Sequence, residues 1–258
     1  MPAGTKIYFA SDFHLGVDGV EKAAVREARV VRWLEHIRHD AAEVFLVGDV
    51  FDFWFEYATV VPRGNIRFLG KLAEMADAGI KLYFFKGNHD MWMFDYFEKE
   101  LNATIISNEM EFERSGKKFY LHHGDGLGPG DKKYKVLKKI FRSPLCQWLF
   151  ARLHPNLGIG IASRWSHGSK LSNARMAEEK LHPQEWIELY AQELATTHQF
   201  DYFICGHRHK PKDIPIPGSN SRYINLGDWI GNFTYAVFDG NDVELKSFDG
   251  GKMSYVPK

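Results

Sequence analysis

Ile7-Tyr8-Phe9-Ala10-Ser11-Asp12-Phe13-His14 is an aromatic and β-branched run that ends in a carboxylate and an imidazole two residues apart. Read as a strand, it delivers two potential metal donors just beyond its last buried residue. The form then recurs along the chain. Gly48-Asp49-Val50-Phe51-Asp52 follows the apolar stretch Glu43 to Val47, and Gly87-Asn88-His89-Asp90 follows Ile80 to Phe85. His122-His123-Gly124-Asp125 closes a run that starts at Phe119, Gly206-His207-Arg208-His209 follows Tyr202 to Cys205, and a weaker Gly227-Asp228 follows Tyr223 to Leu226. In layered α/β proteins the loops at one edge of the sheet form the ligand crevice, which is where all of these donors fall.

The segments between the runs carry the helical period. Val25, Ala28, Val31, Trp33, Leu34 and Ile37 lie roughly on one side of a helix over 21–38, and Phe68, Leu69, Leu72 and Met75 do so over 65–78, with Gly79 as a stop. Strand, helix and strand in this order predict an α/β fold with a mostly buried sheet. Asp239-Gly240-Asn241 between the runs 234–238 and 242–248 predicts a C-terminal hairpin. After Asp125 the pattern changes to helical, basic and aromatic sequence, read as a cap inserted over about residues 127–195 of a single 1–258 domain.

With 258 residues, 45% of them hydrophobic, the chain is long enough to bury a substantial core. Lys plus Arg and Asp plus Glu balance at 33 each, so no dominant surface for a polyanion is expected; a nucleic-acid partner is disfavoured, and no obligate protein partner is implied. Cys146 and Cys205 do not read as a disulfide pair, and no charged-then-apolar leader or membrane-spanning run is visible. These features predict a cytoplasmic protein.

The donors are mixed. Asp12 and Asp49 offer carboxylates, Asn88 a neutral carbonyl oxygen, and His14, His123, His207 and His209 imidazole nitrogens, a set that suits manganese, iron or zinc better than calcium. Asp12 and His14, two apart in extended backbone, would point to one side and clasp one ion. Gly48 leaves room for close approach beside Asp49, whose two oxygens can bridge two cations. Each motif alone is common in turns, but the ordered set of five at strand ends is not explained by core packing. It points to metal-assisted hydrolysis of a phosphoester.

These motifs resemble those of the calcineurin-like metallophosphoesterase superfamily through nearly the whole chain. The resemblance implies a four-layer sandwich, two β-sheets flanked by helices, carrying a helical cap insertion. It implies two divalent metal ions, manganese first with iron or zinc as alternatives: Asp12, His14, Asp49 and His209 around one, Asp49, Asn88, His123 and His207 around the other. Strand alternation assigns His123 to metal and its neighbour His122 to packing. Asp52, Asp125 and Asp228 are expected as acceptors that orient histidines. Asn88 and His89 would meet the phosphate, with His89 donating to the leaving oxygen and Asp90 fixing its tautomer.

Within the superfamily, Gly48 to Trp54, the spacing from His123-Gly124-Asp125 to Asp131, and the insertion from Tyr134 to Lys170 are similar to the UDP-2,3-diacylglucosamine diphosphatase family of lipid A synthesis. That resemblance implies a nucleotide-linked glycolipid substrate, contacts to its sugar from Asp131 and Ser169, and phosphate or nucleotide contacts from Lys170 and Arg175. One departure stands out: His89 occupies the position where that family usually has arginine. Another nucleotide-linked pyrophosphate or phosphodiester is therefore the alternative substrate, and a scaffold that has lost catalysis is the alternative of another class. Lys132, Lys133, Lys135, Lys138, Lys139 and Arg142 alternate with Val136, Leu137, Ile140 and Phe141 in a basic amphipathic helix. Such a helix predicts peripheral binding to the anionic inner face of the cytoplasmic membrane, or an acyl groove, or a cap helix packed on the sandwich.

Overall fold

A computed structural model describes residues 5–19, 21–128, 132–162 and 185–251. Its order is β1 (Lys6–Ala10), α1 (Ala23–Ile37), β2 (Ala41–Leu46), α2 (Ile66–Asp77), β3 (Lys81–Phe85), α3 (Tyr96–Leu101), β4 (Thr104–Ile106), β5 (Met110–Arg114) and β6 (Lys117–Leu121). There follow α4 (Lys132–Phe141), α5 (Pro144–Phe150), a helical stretch α6 over 155–162, α7 (Trp186–Leu194), β7 (Tyr202–Cys205), β8 (Lys212–Pro215), β9 (Arg222–Asn225), β10 (Thr234–Phe238) and β11 (Val243–Ser247).

The strands form two sheets, ordered β11-β10-β1-β2-β3-β4 and β5-β6-β7-β9-β8. Alternation along each strand assigns its residues to layers. Tyr8, Val44, Leu46, Leu82 and Phe84 face α1, α2 and α3 through Trp33, Phe68, Leu72 and Phe97. Phe9, Phe45, Tyr83, Phe119, Tyr202 and Ile204 face the space between the sheets, where Phe45 stacks on Tyr83 at 4.2 Å and on Phe112 at 5.0 Å. Tyr120, Phe203 and Tyr223 face outward onto Ile187 and Ala191 of α7. The result is the expected four-layer α/β sandwich.

Several elements depart from the sequence reading. β5 (Met-Glu-Phe-Glu-Arg) and β8 (Lys-Asp-Ile-Pro) were not expected as strands, because both are edge strands whose charged positions break the apolar run. α7, expected inside the cap, instead forms the fourth layer, since its Ile187 and Ala191 are buried against the second sheet.

Strand direction positions the site. β1, β2 and β3 are mutually parallel, as are β6, β7 and β9, with antiparallel strands only toward the edges. Six loops bearing Asp12, Asp49, Asn88, His123, His207 and Asp228 therefore leave the carboxyl ends of these six strands; β4, at the sheet edge, also runs parallel to β3.

Candidate metal centre

Five of the donors have left-handed backbone: Asp12 (φ 57°), His14 (φ 45°), Asp49 (φ 51°), His207 (φ 68°) and His209 (φ 55°). Asp12 and His14 thus converge by a turn after the end of β1 and not, as expected, by extended alternation. Such conformations cost about 1–3 kcal/mol each for residues other than glycine and persist where the surroundings over-determine them. Here the determinants are visible. The His14 N–H donates to the Asp49 carbonyl at 3.0 Å, and the His207 N–H donates to Asp12 Oδ2 at 2.9 Å. Arg26, almost fully buried, donates from its guanidinium to the His14 carbonyl at 2.7 Å.

The donor atoms form three overlapping groups, each within 4.8 Å: Asp12, His14 and His209; His14, Asp49 and His89; Asp49, His123 and His207. His14 Nε2 and His209 Nε2 stand 3.3 Å apart, and His209 Nε2 lies 3.2 Å from Asp12 Oδ1. Asp49 Oδ2 stands between the two halves, 3.7 Å from His14 Nε2 and 3.4 Å from His123 Nε2. Asn88 Oδ1 lies 3.3 Å from His123 Nε2. His89 joins the middle group, its ring edge-on to His14 at 4.7 Å.

Each ring is aimed by its other nitrogen. Nδ1–H of His123 donates to the Val47 carbonyl at 2.8 Å, Nδ1 of His14 faces Asp52 Oδ1 at 3.2 Å, and Nδ1 of His209 faces Asp228 Oδ2 at 3.4 Å. In all three Nε2 is turned inward, the orientation that metal-ligating histidines require. Asp228 is itself fixed by the N–H groups of Ile230, Gly231 and Asn232. His122 is turned away; its buried Nδ1 accepts the Gly124 N–H at 2.7 Å.

The cluster fits cations. Asp12 Oδ1 is fully buried, and the polar atoms that approach it are imidazole nitrogens, His209 Nε2 at 3.2 Å and His14 Nε2 at 3.9 Å. Burial alone would raise the Asp12 and Asp49 carboxyls, yet both stay below the usual range, Asp12 through the charge of His209 and Asp49 through those of His123 and His89. The same pairing acts on the histidines: despite burial, His123 is pushed up to about 10 by Asp49, and His209 to about 10 by Asp12. Burial holds His14 and His207 down at about 4. Buried anions need positive charge, and protons on His123 and His209 supply it where divalent ions would displace them.

A family model of the calcineurin-like phosphoesterases matches residues 5–211. The chain belongs to that family. Among curated relatives of this phosphoesterase, a UDP-2,3-diacylglucosamine hydrolase of Porphyromonas gingivalis is 39% identical, over 95% of this chain and 98% of the relative. Proteins of the same name from Aeromonas hydrophila and Tolumonas auensis are each 28% identical, over 86% and 94% of this chain and 90% and 96% of theirs.

In this phosphoesterase the sequence expectation for Asp90 needs correction. Its carboxylate accepts N–H groups from Gly87 (2.9 Å), Val50 (2.8 Å), Phe51 (3.2 Å) and Asp49 (3.3 Å). Asp90 thus stitches the loops after β2 and β3 together, and burial with the neighbouring Asp49 charge raises its carboxyl to about 7. The His89 tautomer is set instead by the Asp52 carbonyl, which can only accept and so receives Nδ1–H at 3.0 Å. Arg26 was missed, although it lies in helical register with the buried Val30, Trp33 and Ile37, which marks it as an arginine on an apolar stripe. Asp131, Ser169, Lys170 and Arg175 lie outside the described residues.

Proposed function

We propose that this chain cleaves the pyrophosphate of UDP-2,3-diacylglucosamine to UMP and 2,3-diacylglucosamine 1-phosphate, a step of lipid A synthesis. End-to-end likeness to the Porphyromonas hydrolase carries the substrate assignment. In this reading Asp12, His14, Asp49 and His209 hold one ion and Asp49, Asn88, His123 and His207 the other, manganese being the first choice for the mixed donor set. Two such ions supply Lewis acidity and charge neutralisation for in-line displacement at phosphorus. Asn88 and His89 orient the phosphate, and His89, with Nδ1–H kept on the Asp52 carbonyl, would donate to the departing oxygen only as the imidazolium, whose second proton sits on Nε2 and leaves with that oxygen. Asp131, Ser169, Lys170 and Arg175 remain candidates for sugar and phosphate contacts, and the cap is a helical insertion on one domain.

The test is mass spectrometry of the Mn²⁺-loaded protein in oxygen-18 water, with UDP-2,3-diacylglucosamine, soluble UDP-sugars and bis(p-nitrophenyl) phosphate. Label in UMP with preferred lipid turnover is the expected result. A second reading is favoured by His89 at the position usually held by arginine: cleavage of the comparators alone would transfer the assignment to another nucleotide-linked pyrophosphate or phosphodiester.

No described helix is long and apolar enough to cross a membrane. A peripheral site on the inner face of the cytoplasmic membrane is supported by the cap, where Leu145, Trp148, Leu149 and Leu157 are more than half exposed and the sequence of α4 is rich in lysine. Such a face suits shallow insertion into anionic lipid at about 1 kcal/mol per basic residue near the surface. Reversing Lys132, Lys135 and Lys139 to glutamate is expected to reduce co-sedimentation with phosphatidylglycerol vesicles at least ~10-fold; undiminished binding refutes the membrane reading.

A further inference from the structure

We propose that Asp125, Tyr134 and Lys138 form the joint that seats the helical cap on the metal-binding loop, and that this joint determines how well the enzyme takes an acylated substrate. The substrate part rests on the function proposed above.

Asp125 lies two residues beyond His123 and is 2% exposed. Its Oδ2 accepts the Tyr134 hydroxyl at 2.5 Å and the Lys138 ammonium at 2.6 Å, while Lys138 also donates to the Asp125 carbonyl at 3.1 Å. Tyr134 and Lys138 are four apart on α4 and so share one helix face. Among the described residues these are the only hydrogen-bond partners of the carboxylate, and Oδ1 is buried without one.

The arrangement is unlike a surface ion pair. A buried carboxylate stripped of its partners is strongly penalised, so a docked α4 is favoured over a lifted one. A second tie acts on the same helix. The Trp92 indole donates to the Phe141 carbonyl at 2.8 Å, and Phe150 packs on Trp92 at 4.6 Å and on Phe55 at 4.8 Å. Trp92 and Phe55 stand just beyond Gly87–Asp90 and Gly48–Asp52, so α4 and α5 rest on three of the loops that carry metal donors.

A ligand that needs the cap binds with an apparent affinity reduced by the fraction of molecules in which the cap is docked. A small diester that reaches only the metal loops is indifferent to that fraction. Loosening the joint should therefore separate the two substrates.

The test compares the Mn²⁺-loaded full chain with Tyr134→Phe, which keeps the ring and loses the hydroxyl, and with Lys138→Met. For Tyr134→Phe, KM for UDP-2,3-diacylglucosamine should rise by up to about 10-fold, the limit set by one hydrogen bond to a charged group. Its kcat/KM for bis(p-nitrophenyl) phosphate and its metal content should not change, and amide exchange over 132–150 should accelerate while β6 stays protected. Lys138→Met should act in the same direction and more strongly. Equal losses on both substrates, or unaltered exchange over 132–150, would overturn the joint. Exchange does not depend on turnover, so if the wild type cleaves only the small diester the substrate reading falls while the exchange result still decides the joint.

Discussion

Asp49→Ala is expected to lower turnover by at least about 10³-fold and to leave the protein without its full complement of metal. One side chain serves both halves of the cluster: Asp49 Oδ2 stands 3.7 Å from His14 Nε2 and 3.4 Å from His123 Nε2, while Oδ1 accepts the His89 N–H at 2.9 Å. Alanine removes the shared anion and releases the loop that presents His89. Loss of a single charge-stabilising donor elsewhere in enzymes costs about 10²–10³ in rate, and here the charge that would retain both ions is removed. Asp49→Asn distinguishes charge from shape, since the amide oxygen can still accept the His89 N–H. It should fold and remain inactive. Metal analysis after dialysis and steady-state rates for both variants are the measurements; near-normal metal content and turnover would refute the bridging role.

Gly48→Ala should be as damaging by a different route. A Cβ at position 48 would stand 2.4 Å from Nδ1 and 2.6 Å from Cγ of His123, and 3.0 Å from the Gly87 backbone, at a residue whose φ is +84°. His123 cannot retreat without breaking its bond to the Val47 carbonyl, which aims the ring. Left-handed strain and overpacking each cost about 1–3 kcal/mol. At ~2–4 °C per kcal/mol for a chain of this size, Tm should fall by roughly 5–20 °C. The variant should also lose activity at temperatures where it remains folded, because His123 is displaced. A variant with wild-type melting and full activity would show that the ring is not held as described.

Much of this arrangement was legible because chemistry and burial alternate sharply along the chain. A buried run such as Tyr202 to Cys205 followed by Gly-His-Arg-His leaves little freedom in where the histidines emerge. What was not legible depends on backbone sign and on distant partners. Nothing in Asp12-Phe13-His14 announces two left-handed residues; that geometry is imposed by the Asp49 carbonyl, the Arg26 guanidinium and the loop after β7. Asp90 sits beside His89 in sequence, which suggested a bond, but its carboxylate is consumed by four backbone N–H groups on two loops. Edge strands β5 and β8 carry charge where inner strands carry apolar residues, so periodicity did not find them.

The two sheets contribute to the cluster unequally and jointly. Asp12, His14, Asp49 and Asn88 leave the first sheet; His123, His207 and His209 leave the second. Each proposed ion therefore has ligands from both, and between the sheets the core consists of side chains such as the stack of Phe45, Tyr83 and Phe112. An ion in either position would act as a rivet across that seam, beside the Trp229 N–H bond to the Asp12 carbonyl at 3.1 Å that already crosses it. Its binding energy would then appear as mechanical stiffness of the whole sandwich. Metal supply would thus govern the protein's lifetime as well as its rate.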